Sequence, residues 1–350
     1  MRVIDGIEAE ARTLATDGRE SDGTLEWQDT TIVLVRVHAG DETGIGYTYA
    51  DASAAALVES KLAPALERHD PTATAACWRA MHAALRNAGQ ANAGAMALSA
   101  VDLALHDLKA RLLGVPAGHL LGAARDTVAI YASGGFCSWD DARLREWCAE
   151  RAGAGRIKIK VGRDAADDLE RLRVARSGAP DAELMVDANG AYPTPAEALR
   201  WTEAFADGGV GWMEEPLSSD DLAGLRSVRD RAPAGIAIAA GEYCWSALDA
   251  RRMLEARAVD VLQLDVTRCG GLTGALMIDA LAWAHGSATS LHCASAASVH
   301  AGAAMRTLVH LEHFHDHVRV EDELFDGAPT PQDGLLAPSD RPGLGLELRR

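Results

Sequence analysis

Lysine, paired cysteines and long apolar runs are scarce or absent in this chain of 350 residues. Only four of its 34 lysine and arginine residues are lysine, at positions 61, 109, 158 and 160. Its six cysteines include no C-x-x-C pair, which argues against a disulfide framework or a zinc site. No apolar run approaches the roughly 18 to 20 residues of a membrane-spanning helix. We therefore expect reduced thiols and no membrane partner.

Basic charge is also in deficit. The chain has 34 basic and 51 acidic residues, which gives a net charge of −17. Nucleic acids and anionic membrane surfaces attract basic proteins, so this charge excludes both as partners. The first residues, Met1–Asp5, lack the apolar core of a signal peptide, which predicts a cytoplasmic protein.

Two of the four lysines lie in one short stretch, Arg156–Val161, with the sequence RIKIKV. Alternate side chains of a strand share a face, so Lys158 and Lys160 would lie together, opposite the isoleucines. Unlike arginine, lysine loses its proton readily when it is desolvated or set beside another cation. The stretch predicts either an amine of lowered pKa that can act as a base or a solvated edge strand.

Residues 1 to about 120 predict an α+β lobe, because strand patterns come first and helical patterns follow. The strand patterns flank Asp41-Glu42, a hairpin signal, at residues 31–37 and 44–50. Helical patterns occupy residues 53–62, 72–87 and 93–113. The polar, turn-rich segment Ala15–Trp27 predicts a mobile surface loop.

From residue 128 onward, short apolar runs alternate with helical patterns. Eight runs are candidate strands, at residues 128–131, 157–161, 184–186, 211–213, 236–239, 261–264, 289–291 and 308–311. Strands interleaved with helices predict parallel βα units that close into a (β/α)8 barrel. The Pro- and Gly-rich end of the chain, residues 326–350, is expected to return to the first lobe.

Nearly every candidate strand after the first ends in an ionisable residue. In chain order these are Lys160, Asp187, Glu214, Glu242, Asp265, His292 and Glu312. They are 20 to 28 residues apart, about the length of one βα unit. Because the C-terminal ends of barrel strands meet at one mouth, these residues should share a single cavity.

Three of these residues, Asp187, Glu214 and Glu242, would repel one another unless a cation lay among them. Oxygen ligands without histidine or cysteine favour Mg²⁺ over zinc. One such acid alone could cap a helix, but three in register indicate a metal site. Within Glu214-Glu215 we predict that Glu214 is the ligand, since it directly ends the apolar strand, although the spacing does not exclude Glu215.

Asp265 and His292 form a second group. A carboxylate beside an imidazole orients the ring and raises its basicity, as a general base requires. The same pair can also be a buried histidine with no catalytic task. Further histidines surround the last strand and fit a solvated strand end better than a second metal site, at positions 310, 313, 315 and 317.

In this order the motifs resemble the enolase superfamily and, within it, the mandelate racemase subgroup. The resemblance covers nearly the whole chain and rests on K-x-K, D-x-N-G, E-E-P, G-E, D-x-x-R-x-G-G and P-G-L-G. It implies an α/β fold with a modified, enolase-like TIM barrel and an N-terminal α+β capping domain. The implied domains are residues 1–122 for the cap, 123–325 for the barrel and 326–350 for a segment that returns to the cap.

The resemblance also implies roles for the strand-end residues. Lys160 and His292 would be bases on opposite faces of the substrate α-carbon, with Asp265 holding His292. The substrate carboxylate would bind Mg²⁺, and the ligands of the ion would be Asp187, Glu214 and Glu242. A proton α to a carboxylate becomes acidic enough to remove only when the developing enediolate is stabilised, which a divalent ion does electrostatically.

Three further residues receive roles from the same resemblance. Lys158 would help to neutralise the substrate carboxylate, Glu312 would hydrogen-bond to it, and Asn189 would contact a substrate hydroxyl. The segment Ala15–Trp27 would close over the barrel mouth and set substrate choice, since closing segments exclude water.

The expected reaction is dehydration of a sugar acid, an aldonate or aldarate, to a 2-keto-3-deoxy acid. The alternative is a racemase, epimerase or cycloisomerase that uses the same bases without loss of water. A metal-dependent aldolase and a catalytically idle barrel that binds sugar acids represent other classes. The expected partner is a small-molecule carboxylate, and we expect a homo-oligomer, from dimer to octamer.

Overall fold

A three-stranded antiparallel sheet forms the base of the N-terminal lobe. The computed structural model of the protein describes residues 2–164 and 167–349. The sheet has the order β1-β2-β3, with strands at Gly6–Ser21, Glu26–Ala39 and Glu42–Tyr49. The predicted hairpin is confirmed, because β2 and β3 pair up to Ala39 and Glu42. The sequence pattern did not indicate β1, whose outer residues are small or polar.

The segment Ala15–Trp27 is not a mobile surface loop, so that prediction was wrong. It continues β1 to Ser21 and then begins β2, with an irregular register between Ala15 and Glu20. Glu20 and Ser21 are buried. The N–H of Cys137 donates a hydrogen bond to the Ser21 carbonyl at 2.8 Å. The polar residues that suggested a turn therefore belong to a long hairpin whose end packs on the barrel.

Within residues 2–122, the lobe is completed by the helices α1 (Ser53–Leu57), α2 (Ala63–Leu66), α3 (Thr74–Ala84), α4 (Ala93–Leu113) and α5 (Ala117–Leu120). Helix α4 has the predicted bounds and packs against the sheet. The packing needs glycine at position 46 of β3, because a Cβ there would lie 2.1 Å from the carbonyl oxygen of Ala100. The predicted helix 53–62 is divided, since a π-helical turn occupies Val58–Leu62.

Eight parallel strands form a closed barrel, because the last of them pairs with the first. They are β4 (Val128–Gly134), β5 (Arg156–Lys160), β6 (Glu183–Asp187), β7 (Val210–Glu214), β8 (Ala237–Ala240), β9 (Val261–Leu264), β10 (Ala288–Leu291) and β11 (Leu308–Phe314). All eight predicted strands are present, and the barrel with its capping lobe is confirmed.

Helices cover the outside of the barrel: α6 (Asp141–Arg151), α7 (Asp168–Gly178), α8 (Pro195–Asp207), α9 (Leu222–Arg229), α10 (Ala247–Ala256), α11 (Gly271–His285), α12 (Ser295–Ala304) and α13 (His315–Leu324). Four of them start after a residue whose side chain accepts a hydrogen bond from the first turn, namely Asp140, Thr194, Asp221 and Ser246. Such caps fix where each βα loop ends and its helix begins.

The alternation along each barrel strand separates two environments. On β5, Ile157 and Ile159 belong to the hydrophobic core between strands and helices. Lys158 and Lys160 point to the inside, where Lys158 lies 5.1 Å from the ring centre of Tyr131. The inner face is thus polar toward the C-terminal strand ends, which is where the site forms.

The end of the chain contacts both lobe and barrel through β12 (Phe325–Asp326), β13 (Leu335–Leu336) and β14 (Glu347–Leu348). β13 pairs antiparallel with β4. The buried carboxylate of Asp107 on α4 accepts hydrogen bonds from the N–H of Ile45 at 2.8 Å and of Leu344 at 2.6 Å. Among the residues that the structure describes, none of the helices is long and apolar enough to cross a membrane.

Candidate active site

Three carboxylates, which we call the carboxylate cluster, lie at the ends of neighbouring strands. Asp187 ends β6, its register partner Glu214 ends β7, and Glu242 follows β8. One oxygen atom of each lies within 4.8 Å of the others, and all three residues are buried. Oε2 of Glu242 makes no hydrogen bond to the described residues, although Nε2 of His292 lies 3.3 Å from it. Buried oxygen donors with an unused acceptor suit a hard cation such as Mg²⁺.

The backbone aims Glu242 into the cluster and holds Glu215 outside it. Gly241 precedes Glu242 with a φ of 132°, and a Cβ there would lie 2.4 Å from the Gln263 carbonyl oxygen. Only glycine fits this position. Glu215 has a φ of 40°, and its carboxylate accepts a hydrogen bond from Ser219. The cluster therefore contains Glu214 and not Glu215.

Three side chains donate hydrogen bonds to the cluster, and sequence reasoning missed two of them, Trp212 and Gln263. The indole N–H of Trp212 donates to Oε2 of Glu214 at 3.0 Å, and Nε2 of Gln263 donates to the same atom at 3.2 Å. Arg268 donates to Oε1 of Glu242 at 3.0 Å. Trp212 and Gln263 each stand two residues before a strand-end acid, so the period of two places them on the same inner face. That spacing could have found them.

The two lysines of β5 lie at different depths. Nζ of Lys158 is fully buried, 2.7 Å from Oε1 of Glu214 and 2.8 Å from Oε1 of Glu312. Nζ of Lys160 lies 2.5 Å from Oδ2 of Asp187, and its side chain contributes to the cavity wall. Since β5 pairs on both sides, the alternative of a solvated edge strand is wrong.

The carboxylates around the two lysines act against the expected lowering of the lysine pKa. Burial alone would lower the pKa of Lys160, but the adjacent Asp187 carboxylate outweighs it, so the pKa lies above its ordinary value. Glu214 and Glu312 have the same effect on the pKa of Lys158. Each ammonium is paired with carboxylates rather than only with the other ammonium. A neutral Lys160 is favoured only when another cation neutralises Asp187.

His292 follows β10, and its ring is fixed by Asp265. Nδ1 of His292 lies 2.7 Å from Oδ2 of Asp265, whose other oxygen accepts bonds from the N–H and hydroxyl of Thr267, both at 2.7 Å. The opposite nitrogen, Nε2, lies 3.3 Å from Oε2 of Glu242. Burial lowers the pKa of His292, but the carboxylates of Glu242 and Glu312 outweigh burial and raise it.

Cys293 is a residue of this site to which the sequence assigned no role. It has a left-handed φ of 49° and contributes to the cavity wall. Its Sγ lies 3.2 Å from Nε2 of His292 and 3.3 Å from Oε2 of Glu312. From the sequence, only the position of Cys293 next to His292 could have indicated that it belongs to the site.

Asn189 and Glu312 differ in their access to the cavity. Asn189 has a φ of 47°, contributes to the cavity wall, and its buried Oδ1 has no partner among the described residues. Glu312 and its partner Lys158 lie beneath and are not among the described residues that form the wall. Burial raises the pKa of Glu312, but Lys158 outweighs burial and lowers it.

The cavity above the carboxylate cluster has a volume of about 420 Å³. Its lower part is formed by strand-end residues of the barrel. Its upper part, which we call the capping wall, comes from the hairpin of β1 and β2, the start of α1 and the start of α13, and includes Asp22, Trp27, Asp29, Asp51 and Asp316. The segment Ala15–Trp27 therefore reaches the barrel mouth through Asp22 and Trp27.

The histidines around β11 are not a solvated strand end as expected. His310 is buried inside the barrel, where Nδ1 lies 2.9 Å from the hydroxyl of Ser290 and the ring contacts Tyr131 edge-on. Burial lowers the pKa of His310 to about 3. His317 is also buried and stacks on Tyr49, with 3.4 Å between ring centres. The alternating histidines near the last strand therefore lie inside the barrel and beside the capping wall, and not in solvent.

Two family models match most of the chain. "Mandelate racemase / muconate lactonizing enzyme, N-terminal domain" matches residues 12–122, and "Enolase C-terminal domain-like" matches residues 141–350. The chain belongs to the enolase superfamily. Within the superfamily it falls in the mandelate racemase and muconate lactonizing enzyme group, as the motifs predicted.

Three proteins show how similar this superfamily member is to known ones. D-galactarolactone cycloisomerase of Agrobacterium fabrum is 32% identical, covering 91% of this chain and 89% of its own. A mandelate racemase/muconate lactonizing enzyme-like protein from Rubrobacter xylanophilus has a TM-score of 0.96 at 51% identity, covering 99% and 97% of the two chains. L-talarate/galactarate dehydratase from Salmonella typhimurium LT2, liganded with Mg and L-lyxarohydroxamate, has a TM-score of 0.91 at 28% identity, covering 99% and 91%.

Magnesium is the cofactor, as the sequence predicted. Related structures of the superfamily contain magnesium, and the carboxylate cluster offers the oxygen donors that this ion prefers. The relatives are enzymes and include sugar-acid dehydratases, cycloisomerases and epimerases.

Proposed function

We propose that the protein removes the proton α to the carboxylate of a sugar acid and dehydrates the acid to a 2-keto-3-deoxy acid. One observation carries the proposal. Lys160 and the Asp265-bound His292 come from separate strands and contribute to the same cavity, beside the carboxylate cluster. Relatives that dehydrate talarate, rhamnonate and arabinonate support it.

The proposed metal ligands are Asp187, Glu214 and Glu242. Bound there, Mg²⁺ would supply electrostatic stabilisation of the enediolate charge. The chain's own residues do the rest: Lys160 and His292 exchange protons with the α-carbon, each from its own side, and Asp265 keeps Nδ1 of His292 occupied. Asn189, with its unused Oδ1, accepts a hydrogen bond from a substrate hydroxyl.

Dehydration follows from proton removal without another reactant. The electron pair of the broken C–H bond forms the double bond between the α- and β-carbons, and the β-hydroxyl leaves with the electrons of its C–O bond. Protonated His292 gives a proton to that hydroxide, so water departs. The remaining enol becomes the 2-keto product when a proton is added to the β-carbon and the hydroxyl on the α-carbon gives up its proton.

Lys158 and Glu312 act from beneath the cavity in this proposal. The sequence predicted that Lys158 would help to neutralise the substrate carboxylate and that Glu312 would hydrogen-bond to it. Both residues are buried and paired with each other at 2.8 Å. Lys158 also holds Oε1 of Glu214 at 2.7 Å. We therefore assign them to positioning Glu214, and contact with the substrate carboxylate stays a prediction.

A second candidate is a racemase, epimerase or cycloisomerase. The observation that favours it is the presence of both bases on one cavity, which inversion at the α-carbon requires. A cycloisomerase relative at 32% identity supports it too. The two candidates share proton removal and differ in whether the β-hydroxyl leaves.

A panel of aldonates and aldarates, incubated with Mg²⁺ in D2O, tests the proposal. Formation of a 2-keto product, detected by its reaction with semicarbazide, supports dehydration. Deuterium at the α-carbon with an unchanged or epimeric skeleton supports the second candidate. Absence of both product and exchange on every acid contradicts both.

Three further predictions stay predictions from the sequence. These are the domain limits 1–122, 123–325 and 326–350, the cytoplasmic location, and assembly as a homo-oligomer. Size-exclusion chromatography with light scattering would measure the last of them.

A further inference from the structure

We infer that the cavity selects acids with a single carboxylate and disfavours dicarboxylates of the same length. The inference rests on the proposed function and specifies its substrate class: aldonates rather than aldarates. The distribution of charge between the two parts of the cavity carries it.

The lysine and arginine that form the cavity wall lie in its lower part and are already paired. Nζ of Lys160 lies 2.5 Å from Asp187. The guanidinium of Arg268 lies 3.0 Å from Glu242 and 3.4 Å from Asp265. These charges serve the end of the substrate that carries the first carboxylate. Among the described wall residues, no other lysine or arginine is present.

The capping wall, in contrast, carries four carboxylates, those of Asp22, Asp29, Asp51 and Asp316. Arg319 compensates one of them, since it lies 2.6 Å from Asp316. Arg319 itself is not among the described residues of the cavity wall. Four carboxylates and one guanidinium leave three negative charges in excess on this side.

Local bonds hold the wall carboxylates without neutralising them. Oδ1 of Asp22 accepts from the backbone N–H of Thr24 at 2.7 Å and of Leu25 at 2.6 Å. Asp29 and Asp51 are exposed. His317, the histidine on this side, is stacked on Tyr49, and burial lowers its pKa well below the ordinary value, so it adds no charge.

A neighbouring cavity of about 410 Å³ gives a second route for a long substrate and has the same sign of charge. It shares Asn189 and Tyr243 with the first cavity. Its described wall includes the exposed carboxylate of Asp220 and no basic residue. The other acid of this wall, Glu215, adds no firm charge, because burial raises its pKa well above the ordinary value. In the described walls of both cavities, neither direction offers a lysine or arginine to a second carboxylate.

The distal carboxylate of an aldarate would therefore meet like charges and no guanidinium fork, the group that best recognises a carboxylate. The primary alcohol of an aldonate would find acceptors for its hydroxyl. Repulsion between partly solvated charges predicts an aldonate preference on the order of tenfold or more.

Matched substrate pairs that differ only at the last carbon test the inference. Gluconate against glucarate and galactonate against galactarate are suitable, each with Mg²⁺. We expect kcat/KM and calorimetric affinity to favour the monoacid of the pair that reacts, by about tenfold or more at low salt. Equal or better use of the diacid in both pairs overturns the inference.

A charge-reversing variant sharpens the test. Asp29→Arg should shift the ratio of monoacid to diacid toward the diacid by about tenfold, because it places a cation at an exposed position of the capping wall. Asp41→Arg is the matched control, since Asp41 is exposed at the turn between β2 and β3 and is not among the wall residues. A ratio that shifts equally in both variants, or in neither, overturns the inference.

Failure of the proposed function would be distinguishable. If no acid of either class reacts or exchanges its α-proton, the proposed reaction is wrong. The calorimetric affinities of wild type, Asp29→Arg and Asp41→Arg for the same pairs then decide the inference on binding alone.

Discussion

The two parts of the cavity are built on opposite electrostatic rules. At the barrel end, buried charges are paired at short range, as in the contacts of Lys158 with Glu214 and Glu312 at 2.7 and 2.8 Å. At the capping wall, the carboxylates of Asp29 and Asp51 are exposed to solvent, whereas those of Asp22 and Asp316 are buried. Buried, paired charges cost much to disturb, whereas exposed charges are screened. The barrel end is therefore suited to fixed chemistry and the capping wall to adjustable selectivity.

The largest expected effect is at the carboxylate cluster. Glu214→Gln should lower Mg²⁺ affinity and reduce activity by about a thousandfold or more, because the cluster loses a charged ligand. EDTA should abolish turnover, and added Mg²⁺ should restore it. Calorimetric titration with Mg²⁺ measures the affinity directly. Glu215→Gln is the matched control, and if it lost metal affinity while Glu214→Gln kept it, our ligand assignment would be wrong.

The next effect separates the two bases. In D2O, Lys160→Ala should slow α-proton exchange of one epimer, and His292→Asn should slow α-proton exchange of the other epimer. We expect each rate to fall by about a hundredfold to ten-thousandfold. His292→Asn should also stop loss of the β-hydroxyl. NMR of the α-proton follows both. The exposed Lys61→Ala serves as a control, and loss of both exchanges in either variant of the pair would contradict assignment to opposite faces.

A smaller effect belongs to the capping wall. Trp27→Phe keeps an aromatic ring against Phe136 but removes the bond from its indole N–H to Glu20 at 2.9 Å. We expect substrate preference across the acid panel to change by about tenfold while Mg²⁺ affinity stays the same. Unchanged preference would remove the hairpin from substrate choice. Deleting residues 18–24 is a poor test, since Glu20 and Ser21 are buried.

The smallest effect is a pH dependence of stability at the foot of the capping wall. Burial, with Asp316 nearby, raises the pKa of Glu20 from 4.5 to about 8. The folded state then binds the proton of Glu20 more tightly than the unfolded state, and this tighter binding stabilises the fold at low pH. The stabilisation is lost as the pH rises from 4.5 to about 8. Glu20→Gln should therefore gain about 1 kcal/mol over wild type near pH 8.5, and less near pH 5.

Urea unfolding at both pH values measures this difference. Glu8→Gln, an exposed change on the same strand, is the control. A constant difference between wild type and Glu20→Gln at the two pH values would show that Glu20 does not titrate between them.

The difference between the barrel end and the capping wall also explains which features the sequence could predict. Strand-end residues such as Asp187 and Glu214 follow a regular spacing and an alternation of two, so fold and cluster were predictable from local pattern. The pairing of Lys160 with Asp187 joins residues 27 apart and reverses the expected pKa direction. The hairpin of β1 and β2 was missed because its polar residues pack on the barrel. This tertiary contact overrides their local preference for turns.

Asp107 has a consequence for the order in which the chain is made. Its buried carboxylate, on a helix of the first lobe, needs the N–H of Leu344 as well as that of Ile45. A nascent chain exposes the lobe long before residue 344 leaves the ribosome, and until then a buried acceptor lacks one donor. The hydrogen bond from Leu344 to Asp107 in the first lobe can therefore form only after nearly the whole chain has been synthesised.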